Sequence, residues 1–310
     1  MSKKQHDKQL ARSREKRRDS KFDRRASRNR VIILIMAGLM VLSLVGAALT
    51  SALSGSDDPA PPPDEDPAAD ADTGPGPCGE APDDVPEVDS VIYDDPFEVT
   101  IDTDATYVAT IATTCGDIVV ELDVDDAPIA ANNLVNLAEE DYYQGVVFHR
   151  VIPGFVIQAG DPAGTGCGQE DCAAFDPDEP SFPGYTFEDE LATAETLYEQ
   201  VRQDGIEQLR AAAEAEGEDT EELDDALLEQ VPGGYPRGTV AMANAGPDTN
   251  GSQFYIAQGD PTALPGPQFT VLGTVIEGMD VVDQIAASPT DAQDRPVEAV
   301  TIRDVTIDQR

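Results

Sequence analysis

At 310 residues the chain has room for one or two domains, and its charge is sharply divided: residues 1–53 balance at +9 and residues 54–310 at −50, for a net −41. So acidic a main body argues against nucleic acid and anionic lipid as its partners. Only two histidines occur, His6 in the basic tail and His149, which nearly excludes a Ser-His-Asp hydrolase and any histidine-based zinc site.

No lysine follows Lys21. The acidic excess reads first as solubility by self-repulsion. Adaptation to high salt, where screening removes that repulsion, is the second reading.

Residues 1–30 are basic and show no apolar period, so they form a tail that is disordered or ordered only against lipid headgroups. Val31–Leu53 follows, 23 residues without a charge, long enough to cross about 30 Å of hydrocarbon. It predicts a transmembrane anchor. A cleaved signal peptide is the alternative, although its apolar core is typically about 7–15 residues. Basic residues stay in the cytoplasm, so the expectation is a single-pass cell-membrane protein with its C-terminal domain outside. Residues 54–87, rich in Pro, Asp and Ala, cannot bury a core and read as an extended linker. The folded domain is expected over 88–310.

The four cysteines are Cys78, Cys115, Cys167 and Cys172. An even count beyond an anchor suggests disulfides, expected as Cys78–Cys115 and Cys167–Cys172, although three connectivities are open. A zinc site of all four is the rival; neither half has CxxC spacing, so no metal is expected.

Thr106–Val124 alternates as two strands with a turn at Cys115-Gly116-Asp117. Ala127–Glu140 predicts a helix with Pro128 in its first turn. Val146–Ile152 and Phe155–Ala159 read as two buried strands around a Pro153-Gly154 bend. Residues 191–231 hold a helical insertion: Leu191, Ala194, Leu197, Tyr198, Val201 and Leu209 share one arc, and a second short helix is expected over Asp219–Gln230. Its bland role is a helical hairpin packed on the body; the functional alternative is a partner contact. Val271–Val282 ends a strand and enters a helix reaching about Ala287, and Val297–Ile307 reads as a closing strand.

Two stretches carry the chemistry. In FHRVIPGFVIQAGDP, Arg150 stands in an otherwise apolar run, and burying a guanidinium costs several kcal/mol unless it is paired or used. His149 beside it faces the other way on a strand and reads as structural. In GTVAMANAGPDTNGSQFYI, Asn244, Asn250, Ser252 and Gln253 crowd among small residues before aromatics. Amides beside small residues suit a groove that hydrogen-bonds a peptide backbone.

Together with GTGCG, PGYTFEDE and VLGTVIEGMDVVDQI, in order over about residues 105–310, these pieces resemble the cyclophilin family of peptidyl-prolyl cis-trans isomerases, in a bacterial membrane-anchored form. The resemblance implies a mainly β fold: a closed eight-stranded antiparallel β-barrel with two capping helices, here with the insertion and the N-terminal transmembrane helix added. A small barrel is filled by side chains, so the peptide binds on an outer face. The implied activity is X-Pro isomerisation in unfolded or exported polypeptides, without cofactor. A non-catalytic peptide-binding or scaffold module working through groove and insertion is the alternative.

The X-Pro barrier is about 18–20 kcal/mol. Lowering it needs no nucleophile or metal, only a site that binds the twisted amide better than either planar form. By the resemblance, Arg150 is the donor to the amide nitrogen as it turns pyramidal. Gln158 holds Arg150 and the substrate carbonyl, and Asn244 binds the chain before the proline. Phe155, Val156, Ala243, Gln253, Tyr255, Leu264 and Phe269 match substrate-binding positions. Val156 stands where Met is common and Tyr255 where Phe is common. Phe269 falls near the family's active-site histidine. Ala263 replaces a tryptophan that lines the cyclosporin site in many eukaryotic members, which argues against cyclosporin binding.

Overall fold

The computed structural model describes residues 78, 88, 91–166, 182–215, 230–259, 262, 264 and 266–310. The basic tail, the 31–53 run, Cys167, Cys172, Ala263 and, but for Gln230, the second insertion helix lie outside them. The chain divides into two compact units, residues 72–205 with 229–310, and residues 1–71 with 206–228.

The first unit is built on eight strands: β1 (Tyr107–Thr113), β2 (Gly116–Leu122), β3 (Arg150–Ile152), β4 (Val156–Ala159), β5 (Thr239–Met242), β6 (Phe254–Ala257), β7 (Val271–Glu277) and β8 (Ile302–Gln309). Helices α1 (Pro128–Glu139), α2 (Ala192–Ala215) and α3 (Met279–Ala286) interrupt them. The strands form one sheet in the order β3-β4-β6-β5-β7-β2-β1-β8, antiparallel throughout. Its two edges meet at one bridge, Val147 to Thr301. Phe148 N–H donates to Val300 O at 2.9 Å and Ile302 N–H to Val146 O at 2.8 Å beside it. The strand expected over 146–152 is therefore shorter: only Arg150–Ile152 pairs with β4, because Val146–Phe148 give their backbone groups to the other edge.

Strand alternation sorts the side chains onto two faces. Val240, Met242, Phe254, Ile256, Ile157 and Leu272 point into the main core. Their neighbours Ala241, Tyr255, Val156 and Val271 form a second apolar cluster on the opposite, outer face. Leu191, just before α2, and Ala194 and Leu197 in its first turns cover part of it, as the apolar arc of the insertion predicts. Helix α1 lacks a side-chain cap at Ala127. Glu190 supplies one from across the fold, accepting Ile129 N–H at 3.0 Å and Ala130 N–H at 2.9 Å, which satisfies two otherwise orphaned donors.

Residues 91–100 form a strap over the body. Tyr93 N–H donates to Pro183 O at 2.8 Å, and Thr100 N–H to Asn132 Oδ1 at 2.9 Å. The Tyr93 and Phe97 rings meet at a tilt, 5.0 Å between centres, and both contact the Tyr185 ring. Cys78 is bonded to Cys115 in the β1–β2 turn, with 4.6 Å between Cα atoms.

The single-pass placement in the cell membrane, with the domain extracytoplasmic, is corrected. No helix among the described residues is long and apolar enough to cross a bilayer. Spanning takes about 20 predominantly apolar residues. Helix α2 has 24 residues, but Glu195, Glu199, Arg202, Asp204, Glu207 and Arg210 charge it along its length.

Candidate active site

The β3–β4 hairpin builds the polar end of the site. Its register sets Arg150 directly opposite Gln158, on the outer face that Val156 also shares. Arg150 Nη1 donates to Gln158 Oε1 at 3.4 Å, and Gln158 Nε2 donates to Gln253 Oε1 at 3.0 Å. The guanidinium carbon lies 5.8 Å from the centre of the Phe155 ring, within cation–π reach. No carboxylate among the described residues forms an ion pair with Arg150. The bend is pinned at its tip: Gly154 has φ +76°, and its N–H donates to Gln258 Oε1 at 2.8 Å. Phe155 O accepts Gln258 N–H at 2.8 Å.

The apolar end lies beside it. Tyr255 pairs with Gln158 on one side and Ala241 on the other. Its ring meets Phe269 edge-on, 5.5 Å between centres and 88° between planes. Leu264, Val156 and Tyr255 share the outer cluster, and Phe155, Ala243 and Phe269 pack on its rim. Asn244 Nδ2 donates to Gln268 O at 3.0 Å, and Asn244 Oδ1 accepts Gly246 N–H at 3.3 Å. Ala243 N–H donates to Gln253 O at 2.9 Å. A hollow of about 90 Å³ follows, bounded by Gln158, Phe182, Ala243, Asn244, Thr249 and Gln253. A larger one of about 330 Å³, lined by Asp104, Glu121, Asp123 and Asp125, lies on β2 and β7 without Arg150 or Gln158 in its wall.

All ten site residues expected from the sequence thus lie on this outer face or its flanking loops. Two others do not. Asn250 and Ser252, read as polar groups of the groove, are 0% and 1% exposed. Asn250 Nδ2 donates to Asp189 Oδ1 at 2.8 Å. The Ser252 hydroxyl donates to Gly160 O at 2.7 Å and meets Tyr142 Oη at 3.1 Å. With Asn133 Nδ2 donating to Gly251 O at 2.9 Å, these bonds hold the 250–253 bend from beneath and so fix Gln253 above it.

The Tyr255 hydroxyl is buried and has no hydrogen-bond partner among the described residues; burial raises its pKa, so it stays protonated. An unpaired buried polar group costs about 1–3 kcal/mol. Tyr255→Phe is accordingly expected to stabilise the fold by about 1 kcal/mol and raise the melting midpoint by about 2–4 °C, with isomerase activity within about twofold. Thermal unfolding of the variant checks this, and a lower midpoint would mean that the hydroxyl has found a partner in solution.

His149 lies at the other end, 6% exposed, with neither ring nitrogen bonded to any described residue. Burial, then the Arg150 and Arg295 charges, push its pKa from 6.5 down to about 4. The unfolded imidazole takes a proton near pH 6.5 and the folded one resists until about 4, so stability is full above that window and falls as pH drops through it. Between pH 7 and 5 the wild type is expected to lose about 2 kcal/mol more than His149→Phe in denaturant titrations. Asp161 and Glu190, both raised by burial, shift stability the other way but are common to both proteins. Equal losses would show His149 to be solvated.

The cyclophilin type peptidyl-prolyl cis-trans isomerase/CLD family matches residues 108–307. The chain is 35% identical over 198 residues to peptidyl-prolyl cis-trans isomerase 10 of Caenorhabditis elegans, covering 64% of this chain and 93% of that protein. It is 34% identical over 199 residues to human peptidyl-prolyl cis-trans isomerase-like 3, covering 64% and 94%. Among solved structures, a Cryptosporidium parvum cyclophilin type isomerase, determined in the presence of the dipeptide Ala-Pro, aligns at TM-score 0.45 and 28% identity over 66% of this chain and 99% of that one. With the family's sequence matched across every strand of the sheet but for Tyr107 of β1 and Asp308 and Gln309 of β8, the chain belongs to the cyclophilin-type peptidyl-prolyl cis-trans isomerases, and it is an enzyme of X-Pro bond rotation.

Proposed function

We propose that the outer groove binds an extended X-Pro segment, with the proline ring against Phe155, Val156, Tyr255, Leu264 and Phe269. Gln158, Ala243, Asn244 and Gln253 hold the flanking backbone. Arg150 points its guanidinium at the amide nitrogen. As the C–N bond twists, the nitrogen lone pair ceases to be shared with the carbonyl and becomes an acceptor. A cation placed there binds the twisted amide better than either planar form, which lowers the barrier without any covalent step.

The observation that carries this reading is the state of Arg150. A half-buried guanidinium without a carboxylate partner among the described residues is held only by a neutral amide and an aromatic face. A structural arginine would be neutralised; this one keeps its charge for a visitor. The domain we assign to this activity is 88–310, its strands closing as a barrel at the Val147–Thr301 bridge, with 191–231 as an insertion and 54–87 as a linker. The clients are proline-containing unfolded polypeptides, bound without a cofactor.

The test is cis/trans exchange of an Ala-Pro tetrapeptide followed by NMR with the full chain. Uncatalysed exchange takes roughly 10–100 s at 25 °C, so acceleration at catalytic enzyme concentration supports the reading. A folded protein that binds the peptide without accelerating its exchange would favour the binding-module alternative.

A further inference from the structure

The bend that carries Phe269 is organised by a residue that no motif marks. Tyr235 is 0% exposed, and its hydroxyl sits inside the Gly266–Phe269 turn. It donates to Gly266 O at 3.1 Å and accepts Gln268 N–H at 3.0 Å and Phe269 N–H at 3.2 Å. Its ring meets Phe269 at 6.2 Å. One phenol thus fixes three backbone groups and the ring that stands over Tyr255. The same turn offers Gln268 O to Asn244, so the polar contact before the proline rests on Tyr235 as well. Burial raises the pKa of this phenol, and the proton it gives to Gly266 O stays in place.

Tyr235 reaches the turn from the segment that returns from the insertion, and that segment is pressed against α2. A Cβ at Gly233 would lie 2.2 Å from the Tyr198 carbonyl oxygen and 2.4 Å from its ring, and one at Gly205 would lie 2.8 Å from Val231. The approach at Gly233, against a backbone carbonyl, requires glycine; the one at Gly205 meets a side-chain methyl that would have to shift. Leu191, Ala194 and Leu197 meanwhile pack in the outer cluster together with Tyr235 and Tyr255. The path from the first turns of α2 to the proline pocket is therefore continuous side-chain packing, all within one unit of the chain.

We propose that Tyr235 is the positioning residue of the isomerase site, and that the insertion acts on the chemistry through it. The inference rests on reading the outer groove as the proline site. Tyr235 touches no substrate; it sets the height and angle of Phe269 and of Asn244. Small displacements of positioning groups can cost up to about 10²-fold in rate.

The full-chain protein, Tyr235→Phe and Arg150→Ala are compared for kcat/KM and KM in the Ala-Pro tetrapeptide exchange, for peptide Kd, and for melting midpoint. Tyr235→Phe keeps the ring and removes the three hydrogen bonds. It is expected to lose about tenfold in kcat/KM, mostly through a raised KM and a matching rise in Kd. Arg150→Ala should lose kcat with Kd nearly unchanged. A Tyr235→Phe protein with unaltered kcat/KM and Kd overturns the proposal, whatever its midpoint. Wild type that fails to accelerate exchange overturns the isomerase reading alone, and a weaker Kd in Tyr235→Phe then still supports Tyr235 as organiser of the pocket. Should Tyr235→Phe not fold, Tyr198→Ala, which removes the ring packed on Gly233, decides the matter. A rise of about threefold or more in Kd supports the relay, and an unchanged Kd overturns it.

Discussion

Arg150→Ala is expected to lower kcat/KM for X-Pro exchange by about 10²–10³-fold, or about 2.7–4 kcal/mol of transition-state stabilisation, with little change in KM. The magnitude is that of removing one preorganised donor from a site where charge develops only in the transition state. Gln158 and Phe155 already hold the guanidinium in place, so no reorganisation is needed when the amide twists. The fold should be unaffected or slightly improved, because the variant removes a half-buried cation with no ion-pair partner among the described residues. Arg150→Lys should recover only a small part of the loss. An ammonium keeps the charge but not the planar fork that faces Gln158 and the substrate at once. NMR exchange rates for the three proteins, with melting midpoints alongside, check the prediction. A loss below about tenfold in Arg150→Ala would remove Arg150 from the chemistry.

The second large effect concerns the cross-link between Cys78 and Cys115, whose sequence separation is 37. Opening a loop of that length releases chain entropy in the unfolded state worth about 4 kcal/mol. The closed loop contains the whole strap from residue 91 to 100, with Tyr93 and Phe97, which pack on Tyr185 outside it. Reduction, or Cys78→Ser with Cys115→Ser, is expected to lower the melting midpoint by about 8–15 °C for a domain of this size. Proteolysis should then cut first in the strap, whose Val91, Ile92 and Val99 are already exposed. Thermal unfolding with and without reductant reads the effect. An unchanged midpoint would mean that the aromatic docking, not the cross-link, holds the strap.

Much of this arrangement is legible in the residues themselves. The β1–β2 hairpin shows as alternation over 106–124, and α1 as an apolar face beginning at Pro128. The apolar arc of Leu191, Ala194 and Leu197 predicts a packed face on α2. The strand over 146–152 is misjudged because the hydrophobic pattern records burial and not partner. Val146 and Phe148 are as buried as Val151, yet they bond to the opposite edge of the sheet. Asn250 and Ser252 mislead in the same way: an amide or hydroxyl beside glycine serves a groove or a buried bend equally well, and only depth separates them. Tyr235 is hidden for a further reason. It stands in PGGYPRG, where no period can speak, and its partners Gly266 and Phe269 lie 31 and 34 residues away. Its role arises only when two loops meet.

The sheet order also bears on how the chain is made. β1 pairs with β2 at once, but its other edge waits for β8. Thr114 and its partner Thr301 are 187 residues apart. At roughly 5–20 residues per second of synthesis, the β1 edge of the newborn hairpin stays open for roughly 10–40 s, and its β2 edge likewise waits until β7 is made. During that time its unpaired N–H and C=O groups can join any passing strand. A ribosome-bound chain of this enzyme is therefore itself a folding client until β8 arrives.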